Sequence, residues 1–313
     1  MKSERLLREF DRQLTCWQMA FDNYLQLQSV EKRELKYGDF PLALQFNPAR
    51  AVSTGAKIDP KSIASRPCFL CEKNRPSEQY VLESFDLWDV LINPFPIFPH
   101  HFTIVHREHQ HQDNISSETI AKFAIEHPGF VTFYNGSASG ASCPDHLHFQ
   151  ATLTEELPFC RYIEQNPGSF IAMNNGVKAY IADSMPAPVL HLISRGYKEE
   201  TELWLNNLLK HDRTGQPDKS LRNIVIWEDE AKQLHTVLFA RNCHRPEAYT
   251  SEAEEKSTGR YMVSPGAVDM AGLIITPRRC DFESLSSFEM ARILTEVSYD
   301  FTSSEALRNL LMQ

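Results

Sequence analysis

Asn135-Gly-Ser-Ala-Ser-Gly-Ala-Ser-Cys-Pro-Asp-His-Leu-His-Phe-Gln150 carries two patterns at once. Its last five residues, His146-Leu147-His148-Phe149-Gln150, alternate polar and apolar. Successive side chains of a β-strand point to opposite faces. His146, His148 and Gln150 therefore point to one face, while Leu147 and Phe149 pack on the other. The run before them is built from Gly, Ser and Ala, which let backbone N–H groups come close to an anion. Phe130 to Tyr134 reads as the partner strand. A bare His-x-His in a strand would read as two surface or core residues. With the Gly/Ser loop before it and Gln150 in register, it reads as an imidazole nucleophile facing an anion cradle, a site for phosphorus chemistry.

The stretch resembles the active-site strand of the histidine-triad (HIT) superfamily. The resemblance is to its transferase branch of galactose-1-phosphate uridylyltransferase, diadenosine tetraphosphate phosphorylase and GDP-hexose phosphorylases. The hydrolase branch usually has a third His where this chain has Gln150. The resemblance implies an α+β fold of tandem HIT-like halves, antiparallel sheets flanked by helices, with the second half degenerate. The halves would be 1–165, with the catalytic strand, and 166–313, joined in one compact unit. It also implies that His148 attacks the α-phosphorus of a nucleotide and that Gln150 donates a hydrogen bond to a phosphoryl oxygen. Asn135, Ser137, Ser139, Gly140 and Ser142 are the candidate phosphate-binding residues of the loop.

The expected activity is that of a nucleotidyltransferase or nucleotide phosphorylase. It would act through a covalent nucleotidyl-histidine on a sugar nucleotide or dinucleoside polyphosphate, with phosphate or a sugar phosphate as acceptor. A third imidazole could pass protons to water and a leaving group, and an amide cannot. Gln150 therefore favours transfer or phosphorolysis over hydrolysis. The alternatives are a HIT-type nucleotide hydrolase and a non-catalytic nucleotide-binding sensor.

Two further segments bear on the site. Gln45 to Lys57 is a loop marked by Asn47-Pro48 and Gly55. Its two cations, Arg50 and Lys57, are candidates for substrate phosphates, since a guanidinium matches a phosphate fork and an ammonium adds a point charge. Cys68-Phe-Leu-Cys71 can clamp one Zn²⁺ through two thiolates and then needs two more ligands. A thioredoxin-like redox pair would need a strand before it and a helix after it. Here Arg66-Pro67 precedes and Asn74-Arg75-Pro76 follows. By resemblance to zinc-bearing uridylyltransferases, the ligands would be Cys68, Cys71, His109 and His146, with His106 and His111 as competitors for the third place. The metal would be structural, leaving no open position for water.

Elsewhere, apolar spacings of three and four over residues 3–29 predict an amphipathic helix. Tyr37 to Phe46 reads as a strand region broken by Pro41. Asp86 to Asn93 and His101 to Val105 read as a half-buried hairpin. Ile115 to His127 reads as a helix capped by Ser116 or Ser117. Gln165 to Pro188 reads as a long connection. Glu199 to Lys210 is helical, His211 to Lys219 a loop, and Asn223 to Trp227 with Leu234 to Ala240 a second hairpin. Glu247 to Arg260 reads as a mobile loop, and Leu273 to Thr276 as a strand. Asp281 to Ser298 is read as one helix, with a short one after Ser303. Arg241, His244, Arg245 and Arg260 are candidates for a second substrate.

The 313 residues, 42% hydrophobic and 23% charged, are ordinary for a globular protein. A net charge of −9 argues against gripping nucleic acid by its backbone and favours small phosphorylated substrates met by local cations. No apolar run approaches the roughly 20 residues of a membrane helix, and the charged start has no signal-peptide core. The expectation is a cytoplasmic protein, with a homodimer possible by resemblance. Seven cysteines are too few and too scattered for a disulfide scaffold.

Overall fold

The computed structural model describes residues 2–55, 60–210, 219–252, 259–300 and 307. Among these, thirteen strands form two sheets. In chain order they are β1 (Glu31–Tyr37), β2 (Phe40–Phe46), β3 (Glu83–Phe85), β4 (Trp88–Ile92), β5 (Phe102–His106), β6 (Phe130–Asn135) and β7 (His148–Leu153). Then come β8 (Ser169–Asn174), β9 (Val177–Ala182), β10 (Val189–Ser194), β11 (Arg222–Glu228), β12 (Leu234–Ala240) and β13 (Leu273–Thr276).

Ten of them make one sheet, ordered β3-β4-β5-β7-β6-β11-β12-β10-β9-β8. Every neighbouring pair in it is antiparallel. Its topology repeats. Read inward from either edge, five consecutive strands lie in the spatial order first, second, third, fifth, fourth. In each set a helix, Ser117–Glu126 or Glu199–Lys210, joins the third strand to the fourth. The two sets meet at β6 and β11, where Asn135 pairs with Asn223 and Val131 with Trp227. Each set thereby covers what would be an open edge of the other. This is the α+β architecture of tandem halves that the resemblance of the Asn135–Gln150 stretch implies. The halves are also interlocked, since β13 lies parallel to β2 in a three-stranded sheet with β1.

Period-two alternation sorts side chains between two cores. Leu147, Phe149, Ala151, Tyr134 and Ile224 face the helices Lys2–Cys16, Ser117–Glu126 and Glu199–Lys210 through Leu6, Phe10, Phe123 and Trp204. Val131, Phe133, Val225 and Val237 face the small sheet and the helix Ser287–Val297 through Phe40, Leu42, Ile274 and Met290. Gln150 lies between Thr103 of β5 and Phe133 of β6, so it belongs to this second face. No helix among the described residues is long and apolar enough to cross a membrane.

Several boundaries differ from those read in the sequence. The first helix is two, Lys2–Cys16 and Gln18–Leu27, because Trp17 leaves the helical region (φ −126°, ψ 87°) and buries its indole. The segment around Pro41 belongs to a hairpin whose first strand, β1, is almost wholly polar. The turn uses Gly38 at φ +56°, and Pro41 precedes the pairing of β2 with β13, which starts at Ala43. β4 and β5 are buried on both faces, not on one. Residues 165–188 hold β8 and β9, turned at Asn175-Gly176 with φ of 47° and 80°. Two positive φ angles in an Asn-Gly pair are the signature of a tight hairpin turn. β10, absent from the sequence reading, follows directly. The helix near the C-terminus is also two, Arg279–Ser284 and Ser287–Val297. The second starts on a capping box of Ser286 and Glu289. The helix expected after Ser303, most of the His211–Lys219 loop and residues 253–258 lie outside the described residues.

Candidate active site and metal centre

Gln112 opens the site. β6 and β7 pair as far as Phe133 and Gln150 and then diverge. The fully buried amide of Gln112 fills the gap. Its Nε2 donates to the carbonyls of Asn135 and His148 at 2.8 Å each, and its Oε1 accepts from the His148 N–H at 2.9 Å. The diverging strand ends thus keep their backbone groups satisfied, and the Gly/Ser loop can bulge between them. Nothing in the sequence patterns marks Gln112.

His148 opens β7. Its Nδ1 lies 2.8 Å from the His146 carbonyl. A carbonyl can only accept, so Nδ1 carries the proton and Nε2 keeps the lone pair. Burial lowers the pKa of the ring to about 4, so it stays neutral at physiological pH. In front of it lies a cleft of about 810 Å³, also lined by Gln150, Asn135, Gly140, Ser142 and Arg50.

Gln150 is oriented from behind. The Ile97 N–H donates to His101 Nδ1 at 3.3 Å, so His101 Nε2 carries the hydrogen and donates to Gln150 Oε1 at 2.7 Å. The Phe95 N–H holds Asn93 by its Oδ1, and Asn93 Nδ2 adds a second bond to Gln150 Oε1 at 3.3 Å. With its oxygen engaged twice, Gln150 offers its NH₂ as a donor. Burial, and next the charge of Arg50, keep His101 neutral with a pKa of about 3. His101 stacks on Phe133. Replacement of His101 by Phe is therefore expected to keep the packing but free the amide to flip. It should cost about tenfold in transfer rate, the scale of one buried hydrogen bond. An unchanged steady-state rate would mean that the amide is held by other means.

The loop residues divide. Ser137 is turned to Asp113, donating through its N–H (2.9 Å) and its hydroxyl (2.5 Å). Ser139 is buried and donates to the Ser220 carbonyl at 2.7 Å. Neither residue is among those that line the cleft, and both hydroxyls, expected as phosphate donors, are engaged within the protein. Both fasten the loop instead. Asn135 lines the cleft, yet its Oδ1 accepts from Asn223 Nδ2 (2.8 Å) and from the Ala267 N–H (2.7 Å). It thus joins the two halves beneath the cleft. Gly140, at φ +97°, touches Gly266 so closely that a Cβ would stand 2.8 Å from that residue's Cα. The cleft floor is therefore a contact of the 135–142 loop with the Ser264–Gly266 turn. Arg50 lines the cleft and donates to the Phe95 carbonyl at 2.9 Å. Lys57 lies outside the described residues. Arg66, not singled out in the sequence, also lines the cleft and pairs with Asp145 at 2.9 Å.

Of the candidates for a second substrate, His244 and Arg245 line the cleft. Arg241 is buried behind it, donating to Asn223 Oδ1 and to the carbonyls of Pro265, Cys243, His244 and Val297. It is a structural clamp. Arg260 donates to the Tyr249 carbonyl and is not among the cleft residues.

Cys68, Cys71, His109 and His146 bring their four ligand atoms within 4.8 Å of one another. Cys68 Sγ lies 3.2 Å and Cys71 Sγ 3.5 Å from His146 Nδ1, and Cys71 Sγ lies 3.3 Å from His109 Nδ1. Tetrahedral Zn²⁺ with bonds of about 2.3 Å to sulfur and 2.0–2.1 Å to nitrogen would set S and N about 3.5 Å apart. Outer contacts suit a metal too. His146 Nε2 donates to the His106 carbonyl at 2.7 Å, which leaves Nδ1 for coordination. Asp145 stands 3.8 Å from His109 Nε2. A hydrogen bond from Cys143 is the largest of the causes that hold the Cys68 thiol below its usual range. The competing histidines are otherwise engaged. His106 Nδ1 accepts the Glu108 N–H, and His111 Nδ1 accepts the Asp113 N–H.

The second half has its own relic. With β7 and β12 matched at their last residues, Leu153 and Ala240, His235 falls where His148 does. Its Nδ1 bonds His191 Nε2 at 2.9 Å, its Nε2 faces Asp229 at 3.2 Å, and its ring stacks on Trp227. It is buried and does not line the cleft. Asp229 and His191 engage both of its ring nitrogens, and Trp227 covers its face.

A family model described as a domain of unknown function, DUF4922, matches residues 9–153. No curated protein matches the chain. Among solved structures, three of yeast Ap4A phosphorylase Apa2 are similar, two of them in complex with AMP and with Ap4A. At 16% identity they give TM-scores of 0.60, 0.58 and 0.58, with 93%, 94% and 94% of this chain and 96%, 98% and 97% of theirs covered. This likeness is one of fold, and it agrees with the resemblance drawn from the Asn135–Gln150 stretch.

Proposed function

We propose that this chain is a nucleotidyltransferase of the phosphorylase type, working through a nucleotidyl-histidine on His148. The observation that carries the reading is the fixed tautomer of His148, with its Nδ1–H on the His146 carbonyl and its bare Nε2 beside the donor amide of Gln150 in a substrate-sized cleft. Nε2 attacks the α-phosphorus of a sugar nucleotide or dinucleoside polyphosphate and expels the far side of the pyrophosphate bond. One difficult displacement becomes two easier ones. As negative charge redistributes over the phosphoryl oxygens, Gln150 donates to them without reorganising, because His101 and Asn93 have already set its amide. Arg50 and Arg66 supply positive charge at the cleft wall. A zinc ion held by Cys68, Cys71, His109 and His146 would serve structure, pinning the Cys turn and the loop after β5 to the start of the catalytic strand.

Incubation with α-³²P-labelled nucleotide donors tests the reading. The candidates are nucleoside diphosphate sugars and dinucleoside polyphosphates, without an acceptor. Protein-bound label should survive denaturation and be released by acid, as a P–N bond requires. Absence of label with every donor would remove the proposal, and with it would go the distinction from a nucleotide sensor. Gln150→Ala is expected to slow labelling by about 10²- to 10³-fold, the loss typical of one oxyanion donor. A change under threefold would take Gln150 out of the mechanism.

A further inference from the structure

Cys143 is a buried thiol with no part in the four-residue metal cluster. Its Sγ nevertheless lies 3.8 Å from that of the ligand candidate Cys68. Its S–H stands between two acceptors, Cys68 Sγ and Asp145 Oδ1, the latter at 3.5 Å. Arg66 turns Nη1 and Nη2 to the same sulfur at 3.9 and 3.8 Å, and its Nη2 pairs with Asp145 at 2.9 Å. A buried cysteine that only packs behaves as a small hydrophobe, and this one has an ion pair against its sulfur. Cys71, the other thiol near Cys68, faces the histidines, with His109 Nδ1 at 3.3 Å and His146 Nδ1 at 3.5 Å. Arg66, Leu70 and Ser142 line the cleft, so the Cys68–Cys143 contact lies just behind its wall.

A disulfide needs about 2.05 Å between its sulfurs, so this pair must close by roughly 1.8 Å. Neither residue is in a strand or helix, and closure breaks no ladder. We infer that Cys68 and Cys143 are a redox pair that a peroxide oxidant closes to a reversible disulfide. Cys68 keeps 8% of its surface exposed and Cys143 none, so Cys68 reacts first. Its thiolate attacks one oxygen of the peroxide, the O–O bond breaks, and hydroxide leaves. Cys143 Sγ then bonds Cys68 Sγ, the S–O bond breaks, and the hydroxyl departs as water with the Cys143 hydrogen. The two sulfurs lose two electrons, and the peroxide is reduced to water and hydroxide. This chemistry is independent of nucleotidyl transfer, but it bears on the cleft. The new bond takes Cys68 from the proposed metal ligands. It also pulls on the turn in which the His146 N–H bonds the Cys143 carbonyl at 3.2 Å, and His146 is the residue whose carbonyl holds His148 Nδ1.

The test uses the full chain, reduced and then freed of reductant. It is exposed to hydrogen peroxide, its remaining thiols are alkylated, and its peptides are mapped by mass spectrometry without reduction. A peptide linking Cys68 to Cys143 is expected, and a dithiol reductant should remove it. Where the protein carries zinc, a chromogenic chelator should report its release in step with the link. Cys143→Ser should give no link and keep its zinc through the same exposure. Cys16→Ser, which removes an exposed thiol elsewhere, should behave as wild type. Cys143→Ala carries the comparison if Cys143→Ser fails to fold, melting being checked before oxidant is added. A Cys68–Cys71 link in its place, no link at peroxide levels that oxidise Cys16, or zinc release from the Cys143 variants at the wild-type rate overturns the assignment. A Cys68–Cys143 link formed in protein without metal supports the redox pair while leaving the metal reading without support, so the two fail separately.

Discussion

His148→Ala protein is expected to acquire no covalent label and to lose transfer by about 10⁶-fold, the scale on which removal of an activated nucleophile is felt. The size of the effect follows from the division of labour in the cleft. Gln150 and the arginines only favour a charge distribution, and each is worth a few kcal/mol. The bond to phosphorus has one candidate atom, His148 Nε2, since its partner nitrogen is spent on the His146 carbonyl. The pH dependence should carry the same mark. With the ring held to about 4 by burial, labelling should stay flat from pH 8 down to about 5 and fall only below that, where the ring is protonated and its lone pair lost. An ordinary histidine near 6.5 would show the fall two units higher. Residual turnover in His148→Ala within tenfold of wild type would exclude a covalent path.

What the sequence reveals about this site is the part written in local periodicity. His148 and Gln150 sit two apart in a strand, and a strand permits only one relation between them. Both prove to face the cleft. The spacing of Cys68 and Cys71 is likewise local, and resemblance added His109 and His146. The residues that tune the site escape such reading because their positions are tertiary. Gln112 acts from a 3₁₀ turn between β5 and β6 and stands in no pattern, and His101 acts from the residue before β5, where the strand pattern that includes it does not point to its bond with Gln150. Ser137 and Ser139 are ambiguous in sequence for the converse reason. A small polar residue in a glycine loop can cradle an anion or fasten the loop, and only the positions of Asp113 and Ser220 decide between the two. In the fold, β8 and β9 were hidden by an exposed edge strand with little alternation, although Asn175-Gly176 between them is a strong turn signal.

Cys68→Ser is expected to cut metal content from near one zinc per chain to below a tenth and to lower the melting temperature by about 5–8 °C. Apparent binding energies of structural zinc reach about 10–16 kcal/mol. Even a loss of about 3–5 kcal/mol of folding energy would move a chain of this size by that much. The damage should also reach the chemistry. His146 is both a proposed ligand and the residue whose carbonyl holds His148 Nδ1. Releasing its ring lets that carbonyl shift and the nucleophile tilt, so labelling should slow although no cleft residue has changed. Cys143 supplies the control. Its sulfur is 3.8 Å from that of Cys68, but it stands outside the four-ligand cluster. Cys143→Ser should keep the metal, and loss of zinc there would move the site to the rival group of Cys68, Cys143 and Asp145. Wild-type protein that is purified free of metal, yet melts and labels like the zinc-loaded form, would reduce the four residues to a buried thiol–imidazole cluster.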